Sequence, residues 1–473
     1  MDENQMNAPV STTRRKRKLT PFERISQTYL PLLIGAVAIL LILIFVVGSV
    51  VRGFQYRTLS KQVHHEASVA AQLEKERIEQ EAAMLTDEAA SLAKQYDYEG
   101  AIALLESFSG DRSEYPMITK LINTYNEGKA TMVEWTDFTA IPNLSFELLI
   151  ADPDRAFNDS ANGSSFKKNF ITTEEFSLIL EQLYQNGYIL VSHDDLYEYK
   201  TNASGVAYFV EKQLYLPMDK KPLILTQTNV NYNLYMVDSD DDMVADAGGA
   251  GFASKLVIDD NGNFACQIVN ADGTLEEGAF DLIPILEAFI ATHQDFSYRG
   301  ARAVIALTGY NGLFGYRTHA EAEQKLDPQA YSNEVEQAKQ MARALRESGY
   351  ELACYTYENK DYGKLTYKQI QADMSGWTAE VVPILGQIDT FVFAKSSDLE
   401  AKDKAYDSDA YRLLEEAGFR YFLGYCKDGK PWTNVNDQYI RQGRIYVTAN
   451  NLAKNKGWFT GILDPESVLV ESR

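Results

Sequence analysis

Tyr29 to Val51 reads YLPLLIGAVAILLILIFVVGSVV, 23 residues without a charge. As a helix it rises about 30 Å or more, the hydrocarbon depth of a bilayer. Ahead of it stands TRRKRKLT, with Arg14, Arg15, Lys16, Arg17 and Lys18, whereas the far flank holds only Arg52, Arg57 and Lys61. This positive bias puts the N-terminus in the cytoplasm and everything after Val51 outside the cell. A cleaved signal peptide would have an apolar region of about 7–15 residues ending in a small-residue cleavage site. The run is longer and lacks such a site, and a buried core helix fits neither its length nor its basic flank. The sequence predicts a cytoplasmic basic tail over 1–28 and a single-pass transmembrane helix over 29–51.

The 473-residue chain has a formal net charge of −22. Residues 1–24 hold six Lys/Arg against three Asp/Glu, so the remainder carries −25. A bulk this acidic is a poor match for phosphate, and no nucleic-acid partner is expected. Cys266, Cys354 and Cys426 form neither a disulfide framework nor a zinc pattern. Buried free thiols are the expectation, with a Cys354–Cys426 bridge as the alternative outside the cell.

Residues 52–94 are rich in Glu, Ala, Lys and Gln and predict a helical stalk. Residues 95–135 predict a helical hairpin, AASLAKQYDYEGAIALLESF and SEYPMITKLINTYNEGKATMVEW, joined by a Gly-Asp turn. The YDYEGAIALLES stretch is similar to one tetratricopeptide-type helix pair, and a single pair makes no array. A spacer is the plainer reading, a protein-docking element the sharper one.

From 136 to 473 strand-like and helix-like segments alternate. The strand-like ones are LSFELLI, YILVS, KPLILTQT, ARAVIALTG, YELACYT, IDTFVFA and FRYFLGY. The pattern predicts parallel β/α units, with sites at the C-terminal strand ends. An insertion at about 238–278 contains DSDDDMVAD and a hairpin, KLVIDDNGNFACQIV, turning at Asn-Gly. The acid run lacks the Gly and distal Glu of an EF-hand loop and reads as a solvated loop.

The segment order ITTEEFSLILEQLYQNGYILVSHDDL, KPLILTQTNV, ARAVIALTGYNGLFGYRT, ARALRESGYELACYTYEN and DMSGWTAEVVPILGQIDTFVFA resembles the polysaccharide deacetylase domain, carbohydrate esterase family 4, in its membrane-anchored Gram-positive form. The upstream AIPNLSFELLIADPDRAFN resembles the first strand of such relatives. The likeness implies a distorted (β/α) barrel of about seven strands. It also implies a divalent metal such as zinc, held by one Asp and two His, that polarises an acetamide carbonyl and lowers the pKa of a bound water.

The positions matching that chemistry are altered. Thr228 and Asn229 stand where the family has Asp-Asp, and Tyr355 and Asn359 where it has two His. Asn143 and Glu147 stand where His is expected in the first strand, and Ala394 and Ser396 fill the matching places in the later stretch. Asp373, Trp377 and Glu380 keep the scaffold pattern. Neutral amides, a hydroxyl and a phenol make poor zinc ligands. No metal and no cofactor is therefore expected. A site rebuilt from His193, Asp194 and Asp195 competes with a simpler reading, Ser192 capping a helix with Asp195 three residues on. His293 and His319 read as loop and helix-surface residues.

What remains is a cleft composition. Tyr232, Tyr310, Tyr316, Tyr355 and Tyr357 lie near strand ends with Asn229, Asn231, Asn233, Asn311 and Asn359, and Arg317 can pair with an acid. Aromatic faces and amides suit a glycan, or they fill a vacated pocket and bond to one another. Asn231, Tyr232, Tyr310, Arg317, Tyr357, Asp373 and Trp377 are the binding candidates. The expected function is that of a membrane-anchored, extracellular, catalytically degenerate deacetylase relative binding cell-wall glycan, peptidoglycan or a wall-assembly partner. The alternatives are an active deacetylase with an unusual site, and a scaffold docking a protein through its helical region.

Overall fold

The computed structural model describes residues 21–159, 161–240 and 242–470, and the side chains of 21–33 and Ser396 are left aside. The basic run Arg14–Lys18 lies outside the described residues. The chain divides into two compact units, Met1–Glu81 and Ala82–Arg473.

In the first unit, helix α1 (Pro21–Lys94) holds the apolar run. From Ile34 onward the helix contains a window of mean hydropathy 3.1 whose side chains are not buried in the protein. It is long and apolar enough to cross a membrane.

The second unit opens with the end of α1, whose Leu85 and Ala89 are buried. Helices α2 (Tyr98–Glu106) and α3 (Pro116–Ala130) then pair as a hairpin. Asp97 caps α2 by accepting from the Gly100 N–H at 3.1 Å, and Pro116 starts α3 where no N–H is needed. Ala101, Leu105, Ile118 and Tyr125 bury the facing stripes.

Seven parallel strands close into a barrel: β1 (Asn143–Phe146), β2 (Lys221–Thr228), β3 (Val304–Leu307), β4 (Glu351–Cys354), β5 (Thr390–Val392), β6 (Tyr421–Tyr425) and β7 (Ile440–Tyr446). Their order around the ring is their order in the chain, and β7 pairs with β1 through Arg444 opposite Asn143. Helices α4 (Thr173–Gln185), α5 (Leu282–Thr292), α6 (Pro328–Glu347), α7 (Tyr367–Gly376) and α8 (Asp409–Glu416) lie between successive strands up to β6. No helix intervenes between β6 and β7. A short strand, Thr433–Val435, runs antiparallel to β7 instead. That missing helix distorts the (β/α) barrel.

Alternation along the strands sorts two cores. Leu144, Phe146, Leu225, Ile305, Leu307, Phe391, Phe422 and Ile445 face the helices. Ile224, Val304, Ala306, Ala353, Val392, Leu423 and Ile440 belong to the inner core. Above them a polar layer crosses the barrel. Asn143 donates to the Gln442 Oε1 at 2.8 Å and accepts from the Thr226 hydroxyl at 2.8 Å.

The strand-like YILVS segment is not in the ring. Tyr188–Leu190 adds to β2 from outside, and IRQGRIY closes the barrel instead. The predicted hairpin forms as Lys255–Ile258 with Phe264–Val269, and Leu275–Gly278 adds a third strand. Gly262 takes a φ of 85° at its turn, a conformation glycine adopts without a Cβ penalty. Cys354 and Cys426 are buried free thiols. They stand on β4 and just past β6, with β5 between, so about 9–10 Å of sheet separates them and a bridge cannot close.

Candidate functional site

The C-terminal strand ends form a mouth. Glu147 follows β1, Thr228 ends β2, Tyr355 follows β4, Lys395 follows β5 and Arg444 and Tyr446 end β7. Asn229 has a φ of 66°, a left-handed turn that Asn tolerates and that ends the strand. Its amide donates to Glu147 Oε2 at 3.2 Å. The Thr228 hydroxyl donates to the Phe146 carbonyl at 3.3 Å.

Arg444 is fully buried. Its guanidinium donates to the Ser145 hydroxyl at 2.9 Å, the Phe393 carbonyl at 2.8 Å, the Tyr446 hydroxyl at 3.0 Å and the Gly424 carbonyl at 3.3 Å. It lies 6.0 Å from the centre of the Tyr355 ring. Burial holds the Tyr355 phenol well above its ordinary range, so it is neutral at pH 7.

Burial also raises the Glu147 carboxyl, against hydrogen bonds from Thr228 and Asn229 and the charges of Arg444 and Lys395. A carboxyl raised on folding binds its proton more tightly in the folded state. Stability then falls as pH climbs from the ordinary carboxylate range through the raised value. Glu147→Gln removes that loss. Its Tm at pH 7 should rise by about 1–2 °C, the shift about 1 kcal/mol produces in a unit of this size. The gain should vanish below about pH 4, where Glu is protonated in both states. Thermal melts across pH check both halves.

A divalent metal does not fit this mouth. Thr228, Asn229 and Asn359 offer neutral oxygens and Tyr355 a neutral phenol, leaving Glu147 as the single carboxylate among the matching positions. The buried Arg444 guanidinium, 6.0 Å from the centre of the Tyr355 ring, adds a fixed positive charge that disfavours a cation here. Among the described residues, the one grouping of His, Cys, Asp or Glu close enough to share an ion is Asp238, Asp240 and Asp246, in the loop after β2. There Asp238 accepts from the Asp240 and Met243 N–H groups and Asp246 from Ser239, an acidic turn bonded to its own backbone.

Five of the sequence-chosen binding candidates turn inward. Asn231 is buried, donates to the Thr308 carbonyl at 2.7 Å and to the Gly312 carbonyl, and accepts from the Thr308 N–H at 3.0 Å. Tyr232 is buried and gives its hydroxyl to Asp281 at 2.8 Å. Arg317 is buried, donates to the Tyr232 and Asn311 carbonyls at 3.0 Å each, and is pushed down to about 10 by burial. Asp373 accepts from the Tyr357 and Glu358 N–H groups and from the Tyr362 hydroxyl. Trp377 sits in the outer core. Their polar groups serve the loops themselves, as buried polar groups must. Tyr310 is 50% exposed at the rim, while Tyr357 is half-buried over Gly309 and Gly376, where any Cβ would collide with its ring. Asn359 is partly exposed in the loop that Asp373 pins.

The histidines stand away from the mouth chemistry. His193 lies at the opposite end of the strands, its Nδ1 2.6 Å from Glu351, and Ser192 and Asp195 form a capping box around it. His293 stacks on Phe289 at 4.3 Å. His319 is buried, not on a helix surface: it stands just ahead of the short helix Ala320–Lys325, where burial pushes its imidazole down.

Beside the mouth lies a cavity of about 630 Å³, between the loops after β4, β5 and β6. Tyr425 and Trp432 line it together with Lys364, Asp398 and Lys402. Arg441, buried behind the lining, holds one wall in place: it donates to the Lys404, Glu400 and Ala401 carbonyls and pairs with Asp398 at 2.8 Å. Tyr425 packs 5.1 Å from Tyr446, whose hydroxyl meets Arg444, so the cavity adjoins the mouth. The size and the mix of aromatic and polar groups suit a small ligand. Sequence reasoning missed Arg444, Tyr446, Tyr425 and Trp432. The one signal is the aromatic clustering of Tyr425, at the end of FRYFLGY, with Trp432 and Tyr446, and Arg444 leaves none.

No family model and no curated protein matches the chain. Among solved structures it is similar to a polysaccharide deacetylase from Bacillus cereus, with 10% identity and a TM-score of 0.32 over 67% of this chain. The chain spans 66% of the length of that protein. It is also similar to the Streptococcus pyogenes deacetylase PplD, solved in complex with acetate, with 12% identity and a TM-score of 0.32 over 68% of this chain and 95% of that one.

Proposed function

We propose that this chain is a membrane-anchored extracellular protein of the polysaccharide deacetylase type that binds cell-wall glycan without metal-dependent hydrolysis. One observation supports the reading above others. The residues at the positions matching the family's metal ligands and base are neutral, and a buried Arg444 stands beside them in the barrel. The mouth and its adjoining cavity keep groups that recognise sugars: Glu147, Tyr446, Tyr425 and Trp432. The apolar helix anchors the chain with its N-terminus in the cytoplasm, and the part of residues 52–94 ahead of Ala82 serves as a spacer.

The test uses the full-length chain purified in detergent. Elemental analysis is expected to find no stoichiometric zinc, and N-acetylated glycan is expected to release no acetate above a protein-free control. The chain should sediment with insoluble peptidoglycan, and Trp432→Ala should weaken that retention about tenfold. Stoichiometric metal with turnover that a chelator abolishes overturns the proposal.

A further inference from the structure

At the other end of the barrel, a second cavity of about 410 Å³ lies between the helical hairpin and the strand N-termini. Four tyrosines line it: Tyr96, Tyr98, Tyr215 and Tyr298. They come from four places in the chain. Tyr96 follows α1, Tyr98 opens α2, Tyr215 sits in the strand Leu214–Leu216 ahead of β2, and Tyr298 precedes β3. Tyr298 is buried as the floor, and Tyr215 is 39% exposed at the rim.

The charged groups at this cavity are already matched. Glu99 takes Lys129 at 2.6 Å and Arg299 at 3.2 Å, and Arg299 also faces Asp97 at 3.6 Å. The rim is thus close to neutral, which disfavours an anionic or cationic ligand. The carboxylate of Glu99, the ammonium of Lys129 and the guanidinium of Arg299 supply the acceptors and donors that vicinal hydroxyls use. Tyrosine faces take the C–H face of a sugar ring. A prolyl ridge would use the tyrosines and leave the polar rim unmatched.

Tyr96 is fixed in place. It ends α1 with a φ of 62°, where the Asp97 and Tyr96 N–H groups bond back to Leu92 and Ala93. That αL position at a helix end is ordinarily glycine. The ring is held there with its hydroxyl bonded to Asp295, which fixes it as a wall of the cavity.

We propose that this cavity is a second glycan site that takes a short neutral oligosaccharide, separate from the mouth. It is built within the unit that carries the barrel. Its existence does not rest on the reading of the mouth.

The experiment is calorimetric titration of the full-length chain in detergent with the N-acetylglucosamine tetramer. The wild type is expected to show two sites. Tyr215→Ala should remove one of them or weaken it by about tenfold, with an unchanged far-UV spectrum. Gln213→Ala, at an exposed rim position, should weaken the same site. Trp432→Ala should affect the other site alone. Tyr215→Ala and Gln213→Ala isotherms identical to wild type overturn the inference, as does the absence of any binding heat. A proline decapeptide that binds the wild type, is lost in Tyr215→Ala and is not displaced by the glycan also overturns it. If Tyr215→Ala removes all binding while Trp432→Ala changes nothing, the second site stands and the glycan reading of the mouth falls.

Discussion

Arg444→Met should lower the stability of the barrel by about 3–5 kcal/mol, a fall in Tm on the order of 10 °C. Methionine has a similar reach but donates nothing. The Phe393 and Gly424 carbonyls, the Ser145 hydroxyl and the Tyr446 hydroxyl each lose a charged donor. Those partners stand on β1 and β7 and at the ends of β5 and β6, so one side chain ties together four strands and the β7–β1 seam that closes the ring. The raised carboxyl of Glu147 also loses its nearest buried cation, which pushes it further toward protonation. Glu147→Gln in the same chain should therefore restore part of the lost stability, and a double-mutant cycle reads the coupling. A Tm change under about 2 °C for Arg444→Met would show that the guanidinium does not hold the ring.

The same residue explains what was legible in the sequence. LSFELLI, KPLILTQT, ARAVIALTG, YELACYT, IDTFVFA and FRYFLGY read as strands because apolar runs bounded by turns mark buried parallel strands. IRQGRIY does not read so. It places Gln442 and Arg444 inside a closed barrel and Arg441 on its outer face, and their partners are carbonyls and side chains from strands and loops far away in the chain. Periodicity sees only the polar letters. YILVS has the opposite problem: its apolar run is buried by helices and β2 at the barrel's flank, and nothing local distinguishes that from a place in the ring. Thr228, Asn229 and Tyr355 stand at strand ends, where alternating β/α segments place a site, and the structure brings them to one mouth with Glu147. For Asn231 and Tyr232 the sequence leaves open both a binding role and bonding within the loops, and it gives no partner for them or for Arg317. Their partners, Thr308, Asp281 and the Asn311 carbonyl, meet them only after the barrel closes.

Asp281 gives the second large effect. It is buried at the start of α5 and accepts from the Leu149 N–H at 3.0 Å, the Gln227 amide at 2.7 Å and the Tyr232 hydroxyl at 2.8 Å. Leu149 follows Glu147 closely, and Tyr232 follows Asn229, so this carboxylate sets both loops that carry the mouth. Asp281→Ala strands all three donors and should cost about 3–5 kcal/mol, with unfolding at a correspondingly lower denaturant midpoint. Asp281→Asn behaves differently. Its carbonyl can still accept from Leu149 and Gln227, and its amide can donate to the Tyr232 hydroxyl, which accepts as readily as it donates. The cost should stay near 1 kcal/mol at neutral pH. Burial raises the Asp281 carboxyl above its ordinary value, outweighing the donors that favour its charge. Its contribution to stability therefore falls as pH rises from the ordinary carboxylate range through the raised value, and Asp281→Asn should flatten that stretch of the stability curve. Asn and Ala variants that lose stability equally would mean that the charge itself, not the acceptor geometry, holds the two loops in place.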